Sequence, residues 1–458
     1  MTRPARLVTG GCVAFAAGLG ALAVLQHRAF WTGRFDVGNL VQAVWSTAHG
    51  DVLSVTGLTG RQISRLGAHF DPIVVLFAPL WWVWPDASML LVAQALAVAT
   101  GAIPVYLLAR KHLRSDWAAA GFGLAYLLHP ATQWLVLDDF HPVALATPLL
   151  LWAFWFLDEG RLLPFAVVAL AACLTKEEIG LVVAAMGLWY ALRPGRRRAG
   201  TLIAGAGLLV TVIAFAVVIP HYSISGSSRF EGRYSAVGGS PTGILETAVT
   251  DPLALLRVVT EGRDLTYLLQ LSLPLLGLFL AAPLLLIPAL PELAANLLSG
   301  TITQTSIELH YTAAIVPFLV VGAIFGATRF PRLVPLLFAA SIAGAVFLGP
   351  LWSGELKPDR LSQHDRVAER AVKLVPPEAP VAATNGLGAH LSARRRVFSF
   401  PVVREAEWVA VDLRDPSYLD RSSTPSTTAV PLAQLIQSGE WSHVLDDDGI
   451  VVLRRRPR

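Results

Sequence analysis

Residues 7–26 read LVTGGCVAFAAGLGALAVLQ, an uninterrupted run without a charged side chain. About 20 such residues span the hydrocarbon of a bilayer as a helix, because every backbone polar group is then satisfied inside the segment. Arg3 and Arg6 precede the run, so the excess of positive charge on cytoplasmic flanks sets the N-terminus in the cytoplasm. The run is long for a signal-peptide core, and no small-residue cleavage site precedes His27, so it is expected to remain as an anchor.

The rest of the chain repeats this composition. Of 458 residues, 54% are hydrophobic and 15% charged, where soluble proteins carry about 25% charged residues. That excludes an ordinary soluble enzyme, a disordered chain and a disulfide-framed one. Cys12 and Cys173 both sit in apolar runs and read as small membrane residues. The net charge of +4 does not indicate nucleic acid, since the basic residues form short clusters between apolar stretches.

Further apolar runs cover 87–109, 117–137, 143–157, 162–175, 179–192, 199–219, 311–328 and 333–352. Arg110, Lys111 and Arg114, then Arg193 with Arg196 to Arg198, then Arg329 and Arg332, fall on the cytoplasmic side. This leaves 27–86 as one long external segment, in which Ile73 to Trp84, with Trp81, Trp82 and Trp84, suits an interfacial helix. Parity requires the proline-broken stretch 265–298 to cross twice. The expected fold is an α-helical polytopic membrane protein of about eleven spans, residues 1–352. A small extracytoplasmic α/β domain, 353–458, follows. In that tail Val381–Thr384, Val397–Phe400 and Trp408–Asp412 read as strands, and Leu387–Ala393 and Val430–Gln437 as helices. His443–Leu445 and Ile450–Leu453 flank Asp447-Asp448-Gly449, a hairpin turn. Arg28, Arg34, Arg61, Arg65, Arg229 and Arg233 fall outside, against the usual bias, and that excess asks for a reason.

Polar residues near apolar spans are costly unless they face water or a partner, and here they gather on the outer side. Asp36, His69 and Asp71 lie in the first external segment, Asp138, Asp139 and His141 after the third span, Lys176, Glu177 and Glu178 after the fifth, and Glu308 and His310 before the tenth. The runs at 143–157, 162–175 and 179–192 are 14 to 15 residues long. Extending them to about 20 draws Asp139, His141 and Lys176 to Glu178 to membrane depth, tolerable around a hydrated cavity. Each residue also has a structural reading: Asp36 and Asp138 as helix caps, Lys176 with a glutamate as an ion pair ending a helix, His69 bonded to a neighbour.

The segments Phe35-Asp36-Val37-Gly38-Asn39, Ala68-His69-Phe70-Asp71-Pro72, Phe140-His141-Pro142 and Leu174 to Leu181 together resemble DUF2079, a family of prokaryotic polytopic membrane proteins. His310-Tyr311-Thr312 and Ala382 to Phe400 extend the resemblance over most of the chain. More distantly, the first span, the long external loop with an early aspartate, the interfacial helix and the external C-terminal domain resemble GT-C glycosyltransferases, such as protein O-mannosyltransferases. That resemblance implies a sugar taken from a polyprenyl-phosphate donor, with Asp36 in the place of the acceptor-side acid. Val37 departs from the pattern, which has a second acid there.

On this reading Asp36 is the catalytic base of an inverting transfer. Arg61, Arg65, His69 and Lys176 are cationic partners for the departing phosphate, and Asp71, Asp139, His141, Glu177, Glu178 and His310 complete the substrate site. No nucleotide-binding motif occurs and no Cys/His spacing indicates zinc; a divalent cation is the one cofactor the acids and histidines would admit. The partners implied are a lipid-linked sugar and membrane lipids, not nucleic acid, with the oligomeric state open. Two rival classes remain. A transporter or flippase would use the Lys176, Glu177 and Glu178 cluster, and a non-catalytic membrane protein would use the external domain for binding.

Overall fold

The computed structural model describes residues 2–224, 231–239, 241–351, 360–417, 419–420 and 426–457. Arg229 and the expected domain boundary at 352/353 lie outside the described residues. Three helices of 26 residues each, Arg3–Arg28, Ser88–Leu113 and Arg197–Tyr222, are long and apolar enough to cross a membrane. Val316–Arg329 and Pro331–Phe347 qualify as a pair joined at a 120° bend. The remaining apolar helices are shorter. Ala146–Asp158, Leu162–Cys173 and Ile179–Ala191 have 12 or 13 residues each. The third run breaks into Asp116–Leu128 and Pro130–Leu137 at His129-Pro130, because proline bars the helical conformation before it.

Packing among these helices depends on small residues. Ile179–Ala191 lies so tightly along Arg197–Ile213 that a Cβ at Gly187 would stand 2.4 Å from the Ala204 amide nitrogen, and one at Gly207 2.5 Å from that of Ala184. Close backbone approach replaces hydrophobic driving force where the solvent is itself apolar. The proline-rich block is not a pair of regular helices. It runs as helix Gly262–Ser272, three short 3₁₀ segments and helix Leu290–Leu297, and reverses where Leu276 and Gly277 both take left-handed conformations. Consecutive prolines leave too few amide donors for an unbroken ladder.

Between the first two long helices the chain forms a π turn at Arg34–Gly38, the helix Asn39–Ala48 and a small antiparallel hairpin, β1 (Ser54–Thr56) and β2 (Gln62–Ser64). Leu76, Leu80, Trp82, Val83 and Trp84 are exposed along the following segment, whereas Trp81 is buried.

The C-terminal region is a five-stranded sheet with helices on both faces. β3 (Val381–Ala383) pairs in parallel with β4 (Val397–Ser399) and β5 (Trp408–Asp412), while β6 (Trp441–Asp447) and β7 (Ile450–Arg455) form an antiparallel hairpin that adds to β5, giving the order β4-β3-β5-β7-β6. The period-two alternation is plain: Val381, Ala383, Trp408, Ala410, Ile450 and Val452 pack on one face, against helix Gln363–Leu374. Ala382, Val409, Val411, Val451 and Leu453 pack on the other, with Leu432. The turn at Asp448 and Gly449 is left-handed at both residues, as a two-residue hairpin demands.

Candidate active site

The π turn Arg34–Gly38 brings Asp36 to the loop that joins Pro130–Leu137 to the next helix. In that loop Asp139 holds a left-handed backbone with φ of 47°, an uncommon conformation that aspartate tolerates better than most residues. Its carboxylate accepts the Gly33 amide at 3.1 Å. His141 donates Nδ1–H to the Asp138 carbonyl at 2.7 Å, which leaves Nε2 facing Asp36 Oδ1 at 3.6 Å. The Asp36 side chain is 46% exposed, the most open of the group.

Asp138 Oδ2 accepts both the backbone amide of His310 at 2.7 Å and its Nδ1–H at 2.9 Å. The rings of His141 and His310 stack at 3.7 Å. Asp138 stands at the C-terminal end of Pro130–Leu137, and its carboxylate bridges two chain segments 172 residues apart instead of capping the start of the next helix. In the loop, burial and the neighbouring Asp36 carboxylate push the Asp139 carboxyl well above the usual range. Burial opposes charge on His141 too, but Asp138, Asp36 and Asp139 outweigh it and push the imidazole up to about 9.

A second cluster adjoins the first through His310-Tyr311. Lys176 pairs with Glu178 and stands 5.5 Å over the Tyr311 ring. His69 Nδ1 meets Glu177 Oε1 at 3.0 Å, and Glu177 Oε2 accepts the Phe70 amide at 2.9 Å. Buried Glu292, from the proline-rich block, adds a third carboxylate near Lys176.

Arg65, Asp71 and Arg61 stand apart from the expected site. Arg65 is buried and holds Asp71 through Nε at 2.8 Å, with a further bond to Asn39. That pair locks the external segment, and its charge is already compensated. Arg61 is exposed in the β1–β2 turn, where its neighbour Gly60 lies against Arg404 and Phe398. Glu308 is also exposed.

Two residues near the site had weak sequence signals. Gln94, fully buried in Ser88–Leu113, donates to the Asp139 carbonyl at 2.6 Å and accepts the His141 amide at 2.9 Å. A lone glutamine in an apolar span was the available clue. Glu292 lay in a stretch read as hydrophobic, where a single carboxylate carried the same message.

Asp138, His141 and His310 offer three ligand atoms within 4.8 Å of one another. Two imidazoles and a carboxylate form a donor set suited to zinc or a similar divalent ion.

The profile of the family described as "Predicted membrane protein (DUF2079)" matches residues 26–452. No curated protein sequence matches the chain. Among solved structures, ArnT from Cupriavidus metallidurans bound to undecaprenyl phosphate superposes with a TM-score of 0.55 at 13% identity, covering 98% of each chain. Its apo form gives 0.54 at 14%, covering 98% of this chain and 100% of that one. The oligosaccharyltransferase of Archaeoglobus fulgidus, in complex with Zn and sulfate, gives 0.44 at 14%, over 96% of this chain and 73% of that chain. The ArnT likeness establishes a shared fold over nearly the whole chain.

Proposed function

The chain belongs to the DUF2079 family of predicted membrane proteins, and from that premise we propose that it is a GT-C-type glycosyltransferase. It moves a sugar from a polyprenyl-phosphate donor to an extracytoplasmic acceptor with inversion. The observation that carries the reading is the convergence of half-exposed Asp36, from the segment after the first helix, with Asp139 and His141, from the loop after Pro130–Leu137. The ArnT fold supports it, as does the undecaprenyl phosphate bound in that relative.

Asp36 takes the proton from the acceptor hydroxyl as the new bond forms at the anomeric carbon, and the bond to the lipid phosphate breaks on the opposite face. His141, between Asp36 and Asp138, orients the base. Lys176, in the adjoining cluster, is the cation that turns from Glu178 to the departing phosphate; His69 supports it through Glu177. If a divalent ion binds, Asp138, His141 and His310 would hold it, and it would supply further positive charge.

The topology that goes with this function is a cytoplasmic N-terminus, about eleven crossings of the plasma membrane and an external domain from 353 onward. The short helices then meet a hydrated cavity instead of lipid at their outer ends. Purified protein in nanodiscs, given undecaprenyl phosphoryl-glucose, -mannose or -arabinose together with an envelope extract as the source of acceptor hydroxyls, should release undecaprenyl phosphate as the sugar passes to the acceptor or to water. Asp36→Asn should lose about 10³-fold in turnover, within the usual span for a general base, and Lys176→Met should also be impaired. Full turnover in Asp36→Asn would remove it as the base, and passage of the lipid across the bilayer without sugar release would favour a flippase.

A further inference from the structure

The arginine at 34 sits two residues before Asp36 yet points away from it. Its guanidinium is 2% exposed and meets neutral acceptors: Nη2 donates to the carbonyls of Thr56 and Val397, each at 2.7 Å, and Nη1 to Ser399 Oγ at 2.6 Å. A buried cation among neutral groups is expensive, so the arrangement is explained by geometry. The planar fork fixes three partners at once, which an ammonium on a flexible stem does not. Two of those partners belong to β4 of the external sheet.

The same face of the external domain holds the turn at three more points. Asn385 Oδ1 accepts the Phe35 amide at 3.2 Å, the residue immediately before Asp36, while the Asn385 amide is held by the Asp420 carboxylate at 3.0 Å. Gly38 lies so close to helix Asn385–His390 and the residues after it that a Cβ would stand 2.7 Å from Ser392 Oγ and 3.1 Å from the Ala389 Cα. One turn further, Gln42 donates to the carbonyls of Arg394 and Arg395, both at 3.1 Å. On the opposite side Asp139 holds the Gly33 amide. The turn carrying Asp36 is therefore gripped between the membrane-side loop and the sheet domain.

We propose that Arg34 and Asn385 are positioning residues through which the external α/β domain holds the Asp36 turn in its working geometry, so that transfer depends on domain docking. This rests on the glycosyltransferase reading for its catalytic consequence, but the mechanical coupling stands without it. It also accounts for one arginine of the external excess.

Hydrogen–deuterium exchange of the full chain in nanodiscs tests the coupling. In Asn385→Ala and Arg34→Gln, peptides covering 33–42 should exchange at least tenfold faster, while peptides from Ser88–Leu113 and from β5 stay at wild-type rates and report an intact fold. Arg34→Lys should behave like Arg34→Gln, and Arg332→Gln, in an exposed arginine at the bend after Val316–Arg329, like wild type. In donor turnover Asn385→Ala should lower kcat at least tenfold with the donor KM within twofold of wild type. Unchanged exchange at 33–42 overturns the clamp, whatever turnover does. Faster exchange with unchanged kcat overturns the positioning role. If the wild type releases no undecaprenyl phosphate from any of the three donors, the glycosyltransferase reading fails, and the exchange result still decides the clamp.

Discussion

Two histidine–carboxylate clusters in this protein use the same residue types to opposite ends. In the C-terminal sheet region His364 places Nε2 on Asp412 at 2.8 Å and Nδ1 on Asp448 at 3.1 Å. Asp412 also accepts the amides of Arg414 and Asp415, and Asp448 pairs with Arg414. Both imidazole nitrogens are committed, and the cluster pins helix Gln363–Leu374 to the end of β5 and to the β6–β7 turn. In the loop after Pro130–Leu137, His141 commits one nitrogen to a backbone carbonyl and leaves the other 3.6 Å from a half-exposed Asp36. A satisfied cluster builds structure, whereas one with an open, charged member is available for chemistry.

The strongest way to break this contrast is to neutralise one acid in each cluster. Asp36→Asn should abolish turnover by about 10³-fold while the melting temperature in detergent stays at the wild-type value. Asp412→Asn should do the reverse, lowering the domain's melting midpoint and leaving the donor KM in place. If Asp36→Asn melts early, the open cluster is structural after all.

An intermediate effect is expected from Gln94. Gln94→Leu removes the bonds that fix the Asp139 carbonyl and the His141 amide without touching any proposed reacting group. Unpaired buried backbone groups cost about 1–3 kcal/mol each, and the loop can relax to avoid that cost. Turnover should fall about tenfold, a misplacement penalty, and Gln94→Glu, which keeps the acceptor but loses the donor, should fall between Leu and wild type. Equal loss in both variants would show that the donor bond to Asp139 is the one that matters.

What the sequence made legible followed from local rules. The period-two strands and the Asp448-Gly449 turn are read from neighbours a few residues apart, and the structure shows those elements; of the apolar runs, the described residues form three helices long enough to span and several shorter ones. Asp36, Asp139, His141 and His310 were legible as a set because charge is rare enough in this chain to stand out. Helix Gln363–Leu374 was missed although Ser362 and Asp365 form a capping box ahead of Val367, Ala368 and Ala371; its charged outer face masked a narrow apolar stripe. The pairing of Arg65 with Asp71 was not legible because basic residues in a phosphate-binding stretch and a buried ion pair carry the same composition. Arg34 with Val397 and Phe35 with Asn385 join residues about 350 apart, and no local period encodes such a contact.

The smallest expected effect sharpens the satisfied half of the comparison. Partial burial works against charge on His364, but hydrogen bonds and attraction from Asp412 and Asp448 prevail and raise its pKa above the ordinary value. A histidine raised on folding binds its proton more tightly in the native state, so its contribution to stability is complete below the unfolded value, about 6.5, and is lost as pH rises through the folded value. Urea unfolding followed by the fluorescence of Trp408 and Trp441, both buried in the sheet, should show a midpoint that declines as pH rises from 6 into the mildly alkaline range. His364→Gln should flatten that decline. The partial exposure of the cluster makes the change modest, and salt should weaken it further. A midpoint in His364→Gln with the same pH slope as wild type would assign the slope elsewhere and leave His364 as packing alone.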